Sequence, residues 1–297
     1  MPQSINPQKF IDLLLPVVRQ CAQASLIFYG QVANIGKAAD TSLTGDHAQT
    51  ASEAFTVLDV AVQDLILSVV LEHFPGIACI AEEKTPLKRR FAANQSEYTL
   101  ILDPIDGTFH FQRGDAPYHI CVGLAKNGKM LASIIARPTE DKFFTAVHGQ
   151  GAYLQQGKRT PRRLHLGKKA RTNKMFISSK ARNYQQAVRP ELDPNEYPIG
   201  AALVLTQVAT GELCAYLTRQ IEVYDVGPPS LIATEAGARC YLKNGQVPRY
   251  HQRRKFSHFI CTADEAIAAR LFEVVRMADR TEKRTEKRPI KKQKTHQ

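Results

Sequence analysis

The chain reads YTLILDPIDGTFHF at residues 98–111, and this stretch decides the fold and the chemistry that we expect. The apolar run Tyr98–Leu102 has the length and composition of a buried strand. Two acids, Asp103 and Asp106, follow at its carboxyl end. Pro104 stands between them and fixes one backbone φ at about −65°, so the two carboxylates are presented in a restricted geometry rather than on a loose loop.

The next residues, Gly107 and Thr108, supply a permissive backbone and a hydroxyl group at a point where a helix can begin. Free amide groups at a helix start attract phosphate, and carboxylate oxygens attract Mg²⁺. The alternative is an ordinary strand followed by a turn, because Asp, Pro and Gly are common turn residues. The complete string favours metal-assisted phosphoryl chemistry.

The string D-P-I-D-G-T after an apolar strand resembles the signature of the inositol-monophosphatase-like superfamily, which consists of metal-dependent, often lithium-sensitive phosphatases. Three further segments resemble this superfamily in the same order. Phe55–Asp59 resembles its Val-Thr-x-x-Asp segment, and Ile77–Glu83 resembles its strand that ends in Gly-Glu-Glu. Tyr224–Gly237 resembles its Trp-Asp…Leu-Ile-x-x-Glu-Ala-Gly block. The resemblance extends over about residues 8 to 270.

The resemblance implies an α/β fold, a layered α/β/α/β/α sandwich of the inositol-monophosphatase/fructose-bisphosphatase type. We expect a single phosphatase fold over residues 1–275, made of two packed α/β halves at about 1–150 and 151–275. Hydrophobic periodicity and turn residues predict the main elements. The predicted helices are 8–29, 59–74, 200–210 and 226–236, and a last helix opens at Thr262 with capping-box spacing and ends near Met277. The predicted antiparallel strands are Cys121–Leu124, Ala132–Ala136 and Phe143–Val147.

Several acids stand at the ends of apolar runs, and their mutual repulsion in one cavity would require cations. The resemblance implies that Glu82, Asp103 and the Ile105 carbonyl hold one Mg²⁺. It implies that Asp103, Asp106 and Asp225 hold a second, with Asp103 bridging, in a site of two or three ions. In such a site one ion makes a nucleophile from water and the other steadies the leaving oxygen. An alternative for Asp225 is the N-cap of its helix.

Two further residues complete the catalytic set that the resemblance implies. The Thr108 hydroxyl would hydrogen-bond the attacking water, and Asp59 would hydrogen-bond Thr108. Gly107 and Thr108 would also contact the substrate phosphate. The alternative for Asp59 is a charge at a helix N-terminus, where the helix dipole favours an acid.

Five departures from the superfamily pattern bear on the substrate. Ala81 replaces a glycine, Tyr224 replaces a tryptophan, and the segment 199–202 lacks the hydroxyl residue of the usual Gly-Ser/Thr-Ala-Ala. Thr218 stands where the inositol-phosphate enzymes place an acid that binds sugar hydroxyls, which makes an inositol ring a less favoured substrate. The loop at 37–54 replaces a shorter segment that lies over the site in relatives.

Composition excludes several classes of protein. The chain has 297 residues, 43% of them hydrophobic, and no apolar run reaches the roughly 18–20 residues of a membrane span. The N-terminus lacks the pattern of a signal peptide. Six scattered cysteines, never in C-x-x-C spacing, argue against a zinc site and a disulfide framework, and a cytoplasmic location with reduced thiols is the simplest account.

The net charge of +12 is uneven, since residues 276–297 contain nine Lys and Arg and three acids, or +6 of the total. This tail has almost no apolar content, so we expect it to be disordered. A second basic patch, 158–171, is expected to be a surface loop. No aromatic residues stand among the basic residues of the tail, so specific nucleic-acid binding is not expected.

The sequence therefore predicts a Mg²⁺-dependent phosphomonoesterase, a hydrolase that acts on a small anionic phosphate ester. Inositol phosphates, 3′-phosphonucleotides and sugar phosphates are the candidate substrates. The alternative is a non-catalytic relative that keeps the fold and binds RNA or a protein partner through its basic surface. The presence of every implied acid together with Thr108 favours the enzyme. A homodimer without membrane contact is the expected assembly.

Overall fold

The computed structural model describes residues 4–33, 56–91, 96–167, 169–189, 191–195, 200–251 and 255–286, with side chains as far as Ala278. The helices are α1 (Pro7–Leu26), α2 (Val57–His73), α3 (Thr108–Arg113), α4 (Gln185–Val188), α5 (Ala201–Thr210), α6 (Val223–Ala236) and α7 (Glu265–Glu286). The strands are β1 (Ala78–Ala81), β2 (Tyr98–Asp106), β3 (His119–Lys126), β4 (Lys129–Arg137), β5 (Lys142–Val147), β6 (Gly151–Gln156), β7 (Arg162–Leu164), β8 (Lys174–Ile177), β9 (Asp193–Asn195), β10 (Ala215–Glu222), β11 (Arg239–Tyr241) and β12 (Lys255–Thr262).

The strands form two sheets. The larger sheet has seven strands in the order β1 to β7, parallel only between β1 and β2 and antiparallel elsewhere. The smaller sheet has five strands in the order β11-β12-β10-β8-β9. The predicted antiparallel strands are confirmed as β3, β4 and β5, which short turns connect.

Alternation along β2 and β3 divides the core between the two faces of the larger sheet, as the two-residue period of a strand requires. Leu100 and Val122 face α1 and α2, whereas Ile101 and Cys121 face α5 and α6. The inner face of the smaller sheet packs on this second helical layer, and its outer face packs on α4 and α7. The layers run α/β/α/β/α, so the predicted fold class is confirmed.

Local sequence explains where several helices begin and end. The Asn6 side chain accepts hydrogen bonds from the first amides of α1, and the helix continues through Pro16. Helix α5 ends at Gly211, which has the left-handed conformation (φ 80°) that glycine adopts without a steric penalty. The cap of α7 is Asp264, whose Oδ1 accepts from the amides of Ala266 and Ile267, rather than Thr262 as predicted.

Two predicted boundaries differ from the structure. The larger sheet continues through β7 to Leu164, so the first half of the chain extends beyond residue 150. Helix α7 continues to Glu286, so the predicted end near Met277 is wrong and the first part of the basic tail is helical. The loop at 37–54 and the segment 287–297 lie outside the described residues.

All six cysteines are free thiols. Among the residues that the structure describes, no helix is long and apolar enough to cross a membrane.

Candidate active site

The D-P-I-D motif bends the carboxyl end of β2. Pro104 has no N–H group for the sheet, and the Asp103 Oδ1 atom accepts a hydrogen bond from the Ile105 amide instead (3.1 Å). Pairing with β3 shifts register between Asp103, opposite Cys121, and Asp106, opposite His119. Because of this bulge, both buried acids remain at one end of the strand.

Glu82 and Glu83 follow β1 next to this bulge, because β1 and β2 run parallel. The Glu82 amide donates to the Leu102 carbonyl at 3.1 Å, which continues the pairing beyond the strand. The buried Gln63 side chain of α2 holds Glu83 from the other side. Its amide nitrogen donates to the Glu83 carbonyl (3.0 Å), and its oxygen accepts from the Glu83 amide (2.8 Å). The second glutamate is therefore fixed by its backbone.

Asp59 lies in the first turn of α2 and uses its two carboxylate oxygens differently. Oδ2 accepts hydrogen bonds from the Thr56 amide (2.8 Å) and the Thr56 hydroxyl (2.6 Å), which completes a capping box. Oδ1 accepts from the Thr108 hydroxyl at 3.1 Å. Thr108 Oγ1 also lies 2.9 Å from the Ile105 carbonyl. The helix-start role of Asp59 and its contact with Thr108 are therefore both present.

Asp106 is buried and receives its hydrogen bonds from the start of α5. The Ala201 amide donates to Oδ1 (3.1 Å), and the Ala202 amide donates to Oδ2 (2.9 Å). Burial, and to a smaller extent the charge of Glu82, raise the pKa of Asp106 to about 7, although the two amides act in the opposite direction. The N-terminus of α5 therefore stabilises an acid that burial destabilises.

Asp225 lies in the first turn of α6, and its Oδ2 accepts from the Glu222 amide at 3.2 Å. Glu222 is the N-cap of this helix, so the alternative interpretation of Asp225 as the N-cap is wrong by three positions. Burial raises the pKa of Asp225 well above its usual range, and the charges of Asp106 and Glu82 add to the effect. Asp225 is thus electrostatically coupled to the acids of the larger sheet.

The predicted metal ligands lie in one region but do not form the tightest group of acids. Burial raises the pKa of the Cys121 thiol, and the charges of four carboxylates raise it further; they are Asp106, Asp103, Asp225 and Glu82. Among the described residues, the group of three acids with ligand atoms within 4.8 Å of one another is Asp59, Glu82 and Glu83. This group of three shares only Glu82 with the predicted ligands, and it contains Glu83, which was not predicted as a ligand.

Comparison with known proteins identifies the family of this chain. A family model described as "Inositol monophosphatase family" matches residues 18–282, most of the chain. The chain belongs to this family. The predicted family is thus confirmed, and with it the predicted class of enzyme, a phosphatase of the hydrolase type.

Relatives of this inositol monophosphatase family member carry more than one name. Fructose-1,6-bisphosphatase of Pyrococcus furiosus is 29% identical over 205 residues, which cover 68% of this chain and 73% of that protein. Nus factor SuhB of Xylella fastidiosa is 29% identical over 182 residues, which cover 59% of this chain and 66% of that protein. The structure of an IMPase of Thermotoga maritima superposes with a TM-score of 0.74 at 20% identity, over 92% of this chain and 99% of that one. Dependence on a metal, typically Mg²⁺, is a family property.

Thr218 occupies the family position at which an acid was expected for an inositol substrate. Its side chain is buried in β10, and its hydroxyl donates to the Ser178 hydroxyl at 2.8 Å. Thr218 therefore takes part in a hydrogen bond between β10 and the residue that follows β8.

Residues 200–202 were noted in the sequence only as a family segment that lacks a hydroxyl residue. Their contribution to the site comes from backbone atoms, since the amides of Ala201 and Ala202 bind Asp106. A Cβ atom on Gly200 would lie 2.2 Å from Asp106 Oδ2. The signal available in the sequence was therefore the small size of Gly200 immediately before a helix, without any side chain that carries chemistry.

Gly200→Ala is expected to damage the site without straining the backbone. Gly200 has φ −63° and ψ 150°, which alanine adopts freely, so the new methyl group acts only by pushing the Asp106 carboxylate. We expect Mg²⁺ affinity, measured by calorimetry, to fall by about 10- to 100-fold, the usual cost of disturbing the support of a metal ligand. Gly167→Ala is the matched control, because the nearest atom to its Cβ lies 3.7 Å away. Equal affinities in the two variants would contradict the prediction.

Proposed function

We propose that this protein is a Mg²⁺-dependent phosphomonoesterase that hydrolyses a small anionic phosphate ester. The observation that carries the proposal is the hydrogen bond between Thr108 and Asp59 beside a cluster of carboxylates, namely Glu82, Asp103, Asp106 and Asp225. This combines a group that orients water with groups that hold cations. Membership of a phosphatase family supports the same reaction class.

The donor set fits Mg²⁺, which prefers oxygen ligands. The raised pKa values of Asp106 and Asp225 mean that their ionised forms are destabilised by burial and by neighbouring negative charge, and a cation removes both penalties. We propose that the acids of the cluster and the Ile105 carbonyl would hold two or three ions. When bound, the metal supplies neutralising charge for the phosphate and lowers the pKa of water.

Thr108 and Asp59 have complementary parts in the proposed reaction. The Thr108 hydroxyl donates to Asp59 Oδ1 and the Ile105 carbonyl, so the lone pairs of Oγ1 are left to accept a hydrogen bond from a water molecule. Asp59 keeps the hydroxyl in this orientation. The attack of such an oriented water on phosphorus releases the alcohol and inorganic phosphate.

Gly107 and Thr108 are proposed to contact the substrate phosphate. Gly107 has φ 92°, a conformation that favours glycine, and it caps the short helix α3. The first amides of a helix have no acceptor within the helix, and α3 begins at Thr108, whose side chain contacts Asp59. The phosphate contact is therefore proposed for backbone groups of both residues.

The reaction is tested by phosphate release from a panel of esters. The purified full chain is incubated with inositol 1-phosphate, fructose 1,6-bisphosphate and a 3′-phosphonucleotide, each in EDTA and in Mg²⁺. We expect metal-dependent release with at least one ester and none from the Asp103→Asn variant. A sugar phosphate is expected to be preferred to inositol 1-phosphate, because Thr218 replaces a hydroxyl-binding acid. The absence of metal-dependent phosphate release across the whole panel would contradict the proposed phosphomonoesterase activity.

A second candidate function is an RNA- or protein-binding factor, which the relative named Nus factor SuhB and the net charge of +12 favour. Non-specific binding of RNA through Lys and Arg weakens steeply as salt increases. Filter binding of single-stranded RNA between about 50 and 200 mM salt, combined with the ester panel, distinguishes the functions. RNA binding without phosphate release would favour this second candidate.

The assembly as a homodimer and the cytoplasmic location stay predictions of the sequence. Light scattering coupled to size-exclusion chromatography tests the first, with a mass of twice 33.1 kDa expected. Fractionation of cells that express the full chain tests the second.

Metal binding is expected to counteract the loss of stability that the acid cluster causes as pH rises. An acid with a raised folded-state pKa binds more protons when folded, so the free energy of unfolding falls as pH rises from the unfolded pKa, about 4, through the folded one. For Asp106 the folded pKa is about 7. In EDTA we therefore expect Tm to fall between pH 5 and pH 8, and Mg²⁺ should raise Tm most at pH 8. Asp106→Asn should flatten the profile; an unchanged slope in that variant would contradict the assignment.

A further inference from the structure

A buried histidine, His119, lies opposite Asp106 in the pairing of β2 with β3. Its Nδ1 atom is 3.7 Å from Asp106 Oδ2, and it has no hydrogen-bond partner among the described residues. Its Nε2 atom accepts a hydrogen bond from Arg137 Nε at 3.0 Å. One nitrogen of this ring therefore faces an arginine, and the other faces a proposed metal ligand.

The contact with Arg137 fixes the tautomer of His119. A guanidinium group has only donors, so the ring nitrogen that it contacts must present a lone pair. Nε2 is therefore unprotonated, and Nδ1 carries the ring hydrogen. Burial, together with the charge of Arg137, lowers the pKa of His119 well below its usual range, which agrees with a neutral ring. The Nδ1–H group points toward Asp106.

Arg137 is itself held firmly. It is 5% exposed, its Nη1 donates to both carboxylate oxygens of Glu140 at 3.2 Å, and its Nη2 donates to the Thr206 hydroxyl at 2.7 Å. Glu140 supplies the negative charge that pairs with this buried guanidinium. Since every arm of the guanidinium has an acceptor, the ring of His119 cannot turn over without breaking this set of contacts.

We propose that His119, held as the Nδ1–H tautomer by Arg137, is a positioning residue for the Asp106 carboxylate. The two α5 amides bind one carboxylate oxygen each, and the His119 N–H group faces Oδ2, the oxygen that the Ala202 amide also binds. A movement of about 0.5 Å brings Nδ1 and Oδ2 to hydrogen-bond distance. The inference rests on the proposed function, because it takes Asp106 to be a metal ligand.

The first test measures Mg²⁺ affinity by calorimetry on the full chain, without substrate. His119→Phe keeps the ring shape and removes both nitrogens, so we expect affinity to fall by about 10- to 100-fold. His119→Asn restores an N–H donor near the Nδ1 position and should recover most of the affinity. The matched control is His258→Phe, which removes a similarly buried histidine from β12, bonded to Tyr184 at 2.8 Å. It should lower Tm and leave Mg²⁺ affinity unchanged.

The outcomes separate this inference from the function on which it rests. If Asp106→Asn abolishes tight Mg²⁺ binding while His119→Phe binds like the wild type, the positioning role is overturned and the metal site stands. If Asp106→Asn binds Mg²⁺ like the wild type, the proposed ligand itself is wrong. Equal losses in His119→Phe and His258→Phe would mean that only general destabilisation is measured, which also overturns the positioning role.

A second test is made on the wild-type protein, needs His119→Asn only for signal assignment, and holds even where His119→Phe fails to fold. Long-range ¹H–¹⁵N NMR of histidine-labelled wild-type protein reports which ring nitrogen carries the hydrogen. We expect one buried histidine with a protonated Nδ1 and an unprotonated Nε2, assigned to His119 by its loss in His119→Asn, and we expect its Nδ1 signal to shift when Mg²⁺ is added. An Nε2–H tautomer, or no response to Mg²⁺, would overturn the proposal.

Discussion

Asp103→Asn is expected to lower kcat by at least about 10²-fold while the fold is retained. Asp103 is the acid proposed to contact two metal ions, and the loss of one preorganised electrostatic contact typically costs 10²–10³ in kcat. The variant should fold because an asparagine oxygen can still accept from the Ile105 amide, as Oδ1 does now at 3.1 Å. Removing one negative charge also relieves repulsion among the buried acids, which offsets part of the stability that the variant loses with weaker metal binding. The measurement is kcat at saturating Mg²⁺, with Tm recorded beside it.

Asp141→Asn is the matched control for this prediction. Asp141 is exposed at the turn before β5 and is not one of the proposed metal ligands, and its left-handed conformation (φ 47°) suits asparagine as well as aspartate. It should retain wild-type kcat. Near-wild-type activity of Asp103→Asn at saturating Mg²⁺ would show that the proposed bridging ligand is wrong.

The part of the site that the sequence predicts is the part that local chemistry specifies. In the segment 98–108, the strand, the proline that restricts the backbone and the two acids follow from neighbouring residues, and the structure has them in that order. The capping box of Thr56 and Asp59 is likewise local. A strand end and a helix start need only their own residues, so both are readable from spacing.

The part that was not predicted depends on contacts between distant segments. The amides of Ala201 and Ala202 reach Asp106 across ninety-five and ninety-six positions of the chain. Gln63 holds Glu83 through two hydrogen bonds between α2 and the end of β1. Such partners use backbone groups or an uncharged amide, so no local pattern marks them. The start of α6 was misplaced for a related reason, because Glu222 and Asp225 are both acids able to cap and only the three-dimensional path of β10 decides between them.

Thr108→Val is expected to lower kcat by about 10²–10⁴, the usual contribution of a general acid–base group, with Mg²⁺ dependence close to wild type. Valine keeps the volume and removes only the hydroxyl. Asp59→Asn should act on the same step for a geometric reason. The Thr56 amide is a donor and requires the oxygen of the new asparagine, so its NH₂ group would face Thr108 and deny that hydroxyl its acceptor. The measurement is kcat of both single variants and the double variant.

Residues that act as a unit are not additive, so the double variant should be barely slower than Thr108→Val alone. Thr56→Val is the control, since it removes a hydroxyl from Asp59 Oδ2 and leaves the Oδ1 contact with Thr108 intact. It should cost about 1 kcal/mol of stability, as loss of a helix cap does, with little change in kcat. If the losses of Thr108→Val and Asp59→Asn add in the double variant, the two residues do not work as one pair, and Asp59 serves only to begin α2.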